Sequence, residues 1–191
     1  MNNGKFRQLM VVLATLATIF VNALANILPL NGQNTGAISD RFAVYFVPAG
    51  YVFSIWGVIY LALIAYAIFQ ALPSQRDNIR LSKIAPFYLA GSLANIAWIF
   101  LWHYEVFPLT LVAMLVLLAS LVITYIILDI GRAQVSKLEM WTVHLTFSIY
   151  LGWITVATIA NVTDLLSYLK WNGFGVSPEI WAVIMLVVAT V

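Results

Sequence analysis

Long apolar runs alternate with short polar breaks along the whole chain. Five of them reach the roughly 20 residues that an α-helix needs to cross a bilayer. They lie near Leu9–Leu30, Val47–Leu72, Ile84–His103, Pro108–Ile130 and Met140–Thr163. A sixth begins at Ile180 and reaches Val191 while still apolar, too short to span alone. It is expected to be the start of an additional helix in a chain cut short. The first run sits where a secretory leader would, with an A-x-A candidate at Ala23–Ala25. It is long, however, and ends in "ANILPLNGQNTG", so a retained helix is expected.

The breaks carry turn chemistry: "NGQNTG" at Asn31–Gly36, "LPSQRDN" from Leu72, "DIGR" at Asp129–Arg132 and "KWNGFG" at Lys170–Gly175. Pro108 suits the first turn of the fourth helix. Because every break is short, consecutive helices are expected to be antiparallel neighbours. There is no internal repeat and no low-complexity segment. The pattern predicts an all-α integral membrane protein, a five-transmembrane-helix bundle over residues 1–170. Residues 171–191 add a loop and the start of the sixth, C-terminal helix.

Composition sharpens this. Of 191 residues, 63% are hydrophobic and 8% charged, with a mean hydropathy of +0.98. A soluble domain carries about a quarter charged residues, so the lipid bilayer is the expected solvent and first partner. A net charge of +2 is too small to argue for nucleic acid. The absence of cysteine removes disulfides, thiolate nucleophiles and Cys-type metal sites. With the N-terminus cytoplasmic, the inside segments hold Lys5, Arg7, Arg76, Arg80, Lys83, Arg132 and Lys137, and the outside ones only Arg41 and Lys170. That bias predicts a cytoplasmic N-terminus. Short loops and a retained first helix favour a bacterial inner or plasma membrane.

Three runs carry aromatic and amide side chains at helical spacing. The second gives Ala49, Phe53, Trp56, Tyr60, Leu63 and Ala67 on one face. The third gives Tyr88, Gly91, Asn95, Trp98 and Trp102. The fifth gives Tyr150, Trp153, Ala157 and Asn161. A mid-span amide facing lipid would leave donors and acceptors unpaired, so these faces should point inward. Two readings compete. One is tight packing, with small residues letting backbones approach and Asn bonding between helices. The other is a pocket walled by indoles and phenols, suited to a flat apolar ligand.

Acid–base chemistry is sparse. No Asp, Glu, Lys or Arg falls in the central part of any expected span, which argues against a charge-lined channel or proton-coupled pump. His144 is expected to hydrogen-bond between helices. His103 beside Glu105 is a weak metal or haem-iron candidate without a second histidine. No hydrolase elbow, phosphate loop or H-E-x-x-H is present. No catalytic residues and no metal site are expected.

These same faces resemble a known family. "FVPAGYVFSIWGVIYLAL" is similar to the second helix of the tryptophan-rich sensory protein family, which includes the translocator proteins, through Pro48, Phe53, Trp56 and Tyr60. "LANIAWIFLW" resembles its third-helix motif through Asn95 and Trp98. "IYLGWITVATIAN" resembles its fifth-helix motif through Tyr150, Leu151, Trp153, Ala157 and Asn161. The order is right over roughly residues 9–170. The chain departs from the family at Ile149, where a proline is usual, at Gly91, where a glutamine is common, and at Trp102–His103, where two phenylalanines are typical. The resemblance implies a five-helix bundle, often a homodimer, that binds porphyrins or haem and in some members sterols. It needs no resident cofactor. The pocket would be closed by the loop after the first helix, about Asn31–Val47. Carried over by position, the ligand-binding residues are Trp56, Tyr60, Asn95, Trp98, Tyr150, Trp153 and Asn161. The resemblance also leaves open a porphyrin-transforming enzyme working through pocket tryptophans, and a structural membrane protein with a packed interior remains the third reading.

Overall fold

The computed structural model describes residues 3–28, 30–42, 44–45 and 50–190. Pro48, Ala49 and the end of the expected closing loop lie outside the described residues. Among those described there is no strand. The helices are α1 (Asn3–Ile27), α2 (Thr35–Ser39), α3 (Ile55–Ala71), α4 (Ile79–His103), α5 (Phe107–Ile127), α6 (Lys137–Glu139), α7 (Leu145–Tyr168) and α8 (Pro178–Thr190). A π-helical turn, Met140–His144, joins α6 to α7, so that Lys137–Tyr168 forms one continuous span. Among the described residues, five helices are long and apolar enough to cross a membrane.

α1 shows why this is a membrane fold. Gln8, Val11, Thr15, Thr18, Asn22 and Ala25 recur at three- and four-residue steps and are all buried. Phe6, Leu9, Leu13, Leu16 and Phe20 on the opposite face are about half exposed or more. Polar groups inside and large apolar groups outside would be unstable in water. In lipid the arrangement is favoured, because hydroxyls and amides need partners that hydrocarbon lacks. Thr15 Oγ1 meets Tyr88 OH of α4 at 2.6 Å, and Asn22 Nδ2 donates to Asn95 Oδ1 of α4 at 2.6 Å.

The five long helices close a ring in the order α1, α4, α5, α7, α3 and back to α1. Consecutive helices are neighbours with one exception: α1 lies between α3 and α4. The α3–α4 connection therefore crosses the start of α1, and three residues of α1 fit it. Arg7 donates to the carbonyls of Gln75 (2.7 Å) and Asn78 (3.1 Å), and Gln8 donates to those of Gln70 (2.8 Å) and Leu72 (2.9 Å). Gly4 lies so close that a Cβ there would stand 2.5 Å from the Arg76 carbonyl.

Helix ends extend past the apolar runs where polar groups find partners. Asn78 caps α4, accepting from the amides of Arg80 and Leu81, so the helix begins five residues before Ile84. α7 continues past Thr163 to Tyr168. Between α4 and α5 the approach is close at Gly91, where a Cβ would meet Ser120 Cβ at 3.3 Å. A larger residue there would need the Ser120 and Leu117 side chains of α5 to give by a few tenths of an ångström. α7 itself is regular through Ile149, and the irregularity of this span is the π-turn instead.

Candidate functional site: an aromatic chamber beneath the α2 strap

At one end of the ring the chain between α1 and α3 folds back as a strap containing α2. Asn34 caps α2, accepting from Ala37 N at 2.8 Å. The strap is held to the α4–α5 corner by side chains: Asn31 Nδ2 donates to the His103 carbonyl (3.0 Å), Gln33 to Glu105 (3.0 Å) and Arg41 to Glu105 (2.8 Å). Trp102 Nε1 donates to the Thr35 carbonyl at 3.2 Å.

Beneath the strap, rings from three helices converge. Trp56 of α3 stacks on Tyr60 (centroids 5.7 Å, planes 27° apart) and meets Tyr150 and Trp153 of α7 edge-on at 6.2 and 6.1 Å. Trp98 and Trp102 of α4 lie stacked at 5.2 Å, 16° apart. The rings wall two adjoining chambers that share Thr35, Phe53, Trp56 and Trp98. The larger, about 440 Å³, opens under α2 and is bordered by Asn22, Asn34 and Asp40. The smaller, about 50 Å³, reaches down to Trp153, Ala157, Ala160, Asn161 and Asp164 of α7.

The seven residues marked out from sequence divide between these surroundings. Trp56, Trp98, Trp153 and Asn161 line the small chamber, and Trp56 and Trp98 also line the large one. Tyr60, Asn95 and Tyr150 stand behind that wall and line neither. Asn95 bridges helices, accepting from Asn22 and donating to Tyr150 OH at 3.1 Å. Asn161 does both jobs: it borders the chamber while accepting from Trp98 Nε1 (3.3 Å) and donating to Thr110 Oγ1 of α5 (3.0 Å). Packing and pocket therefore coexist at different depths of one aromatic cluster.

Trp153 Nε1 and Tyr60 OH are buried without a hydrogen-bond partner. His103 is engaged: its Nδ1 donates to the Ile99 carbonyl at 2.7 Å, and Nε2 faces the Thr35 hydroxyl at 3.5 Å. His144 sits at the opposite end of the bundle, where its Nε2 accepts from Arg80 at 3.1 Å. Arg80 also pairs with Glu139 at 3.0 Å, closing a cluster between α4 and the π-turn.

Sequence reasoning passed over Asp164. It is 3% exposed, lines the small chamber, and leaves Oδ1 without a hydrogen-bond partner. The signal was available. Asp164 lies eleven residues after Trp153, three turns along the same face, on the stripe already drawn through Ala157 and Asn161. Ending the apolar run at Thr163 hid it. The buried stripe of α1, with Asn22 at the chamber's border, was equally readable as a three/four repeat.

No curated protein and no solved structure matches the chain. A family model described as TSPO-like protein matches residues 8–191, running through α8. With that match over nearly the whole length of a helical membrane bundle, the chain belongs to the TSPO-like protein family.

Proposed function

We propose that this protein is a membrane receptor or carrier that takes a flat, largely apolar ligand into the chamber beneath the α2 strap. Tetrapyrroles such as porphyrin or haem, and sterols, are the ligand shapes in question. One observation carries the reading: Trp56 and Trp98 border a chamber of about 440 Å³, and Trp102 and Trp153 join them around the small chamber beside it. A volume of about 440 Å³ falls within the roughly 300–1,000 Å³ of small-molecule sites. Indole faces reward planar partners, and the unpartnered Trp153 Nε1 supplies a donor that a ligand acceptor would satisfy. The protein would sit in a plasma membrane with its N-terminus cytoplasmic, as the Lys and Arg bias implies.

Tryptophan quenching in detergent tests this. Protoporphyrin IX and its uncharged dimethyl ester are titrated into wild type, Trp56→Ala and Trp153→Phe. Saturable quenching in wild type, with affinity reduced about tenfold in either variant, equivalent to ~1.4 kcal/mol, is expected. If neither porphyrin quenches saturably, or if both variants bind as wild type does, the chamber is not the binding site.

A further inference from the structure

The chamber's charged lining has one sign. Among the described residues that border the two chambers, the ionisable side chains are Asp40 and Asp164. Neither chamber is bordered by a described lysine, arginine or histidine. Asp40 sits at the wide mouth beneath the strap, where its charge is easily solvated. Asp164 borders the small chamber near the C-terminal end of α7, 3% exposed, with Oδ1 unpartnered. Buried carboxylates are normally paired, because an uncompensated charge in a low-dielectric interior is strongly disfavoured. An acid inside a membrane span calls for a named partner. The nearby strap arginine, Arg41, is already paired with Glu105 at 2.8 Å.

We propose that Asp164 is the polar anchor of the chamber and that the ligand bears a protonated nitrogen, an ammonium or amidinium, on a flat apolar body. This rests on the chamber being a ligand site and specifies what enters it. The body occupies the large chamber between Trp56 and Trp98. The small chamber, about 50 Å³, admits a head group of only a few non-hydrogen atoms. Ala157 and Ala160 add little bulk to its α7 side beside Asp164. Trp98 and Trp102, stacked at 5.2 Å, border the same space and offer ring faces that attract a cation. Carboxylate and indoles thus border the space that one head group would fill. A ligand whose only charges are carboxylates meets like charge at Asp40 and at Asp164.

The test uses three porphyrins of one body and different charge: protoporphyrin IX, its dimethyl ester, and its bis(aminoethyl) amide, titrated by tryptophan quenching in a non-ionic detergent. Wild type is expected to bind the amine-bearing amide at least about tenfold more tightly than the dicarboxylate. In Asp164→Asn that preference should collapse to within about threefold while the neutral ester binds as before. Asp129→Asn, which removes an equal charge from the opposite end of the bundle, should keep the wild-type preference. Asp164→Ser is measured in parallel, so that misfolding of one variant, seen as loss of ester binding, does not end the comparison. Equal binding of all three porphyrins by wild type, or a preference that survives both Asp164 substitutions, overturns the anchor and leaves the chamber intact. Absence of saturable quenching by any of the three overturns the chamber reading itself.

Discussion

The side chains of the aromatic cluster sort by what their polar atoms do. Asn95 holds three helices together, through Asn22 on α1 and Tyr150 on α7, and borders no open space. Trp153 packs its ring against Trp56 and Phe53 and borders the small chamber, while its Nε1 is buried without a partner. Truncating the first should cost stability, and altering the second should cost affinity. Asn95→Ala removes two interhelical hydrogen bonds. Bonds of this kind average ~0.6 kcal/mol each in a bilayer protein, while stranding a buried donor costs ~1–3 kcal/mol. Asn22 keeps its bond to the Thr18 carbonyl at 2.9 Å, so the lower end, about 1–2 kcal/mol, is expected. Thermal unfolding in detergent measures it, and porphyrin affinity should move by less than about threefold. A large loss of affinity at unchanged stability would place Asn95 in the site after all. From sequence these residues looked alike, because spacing reports which face a side chain shares. It does not report whether neighbouring helices leave a gap there.

Among the elements, the α2 strap joins a buried apolar anchor, Ile38 and Phe42 against Trp102 and Phe107, to a polar and partly exposed one at Glu105. Glu105 receives Gln33 and Arg41, and both hydrogen bonds hold its carboxyl below the usual carboxylate range. A lowered folded value means the contact stabilises the strap above the unfolded pKa of about 4.3. That stabilisation is lost as pH falls through the folded value. The Arg41–Glu105 pair is partly exposed, at 45% and 38%, so salt should weaken it and its contribution to global stability is small. Its local effect is larger, since Asn34, Thr35 and Asp40 of the strap border the large chamber. Glu105→Gln is expected to raise proteolytic cleavage within residues 31–42 and to speed porphyrin release severalfold in stopped-flow fluorescence. High salt, or acid strong enough to protonate Glu105 at its lowered value, should do the same to wild type. Unchanged release rates would mean ligand leaves between helices and not past the strap. The existence and type of the spanning helices were legible from apolar runs of adequate length. The strap's helix was not, because five residues capped by Asn34 carry no periodic signal. The ring order escaped for a different reason: α1 enters between α3 and α4 through Gly4, Arg7 and Gln8, whose fit to a loop far along the chain leaves no local mark.

For the whole molecule, the ring has two chemically distinct ends, and that difference predicts an orientation. One end gathers Lys5, Arg7, Arg76, Arg80, Lys83, Arg132 and Lys137 at the start of α1, the α3–α4 connection and the α5–α6 connection. Arg7 and Arg80 are also built into the structure there, bonded to Gln75 and Asn78 carbonyls and to Glu139 and His144. The other end carries Arg41 and Lys170 together with the strap and the chamber mouth. Positive charge near span ends resists translocation, so the chamber should open on the side away from the cytoplasm. The chain has no cysteine, which makes single introduced thiols clean reporters. Ser74→Cys lies at the basic end and Tyr104→Cys at the chamber end. Both positions are exposed, Tyr104 at 60%, and neither change alters the charge bias. In intact spheroplasts a membrane-impermeant maleimide should label Tyr104→Cys at once and Ser74→Cys only after lysis. The reverse pattern would turn the chamber toward the cytoplasm, and a ligand held at Asp164 would then be drawn from inside the cell.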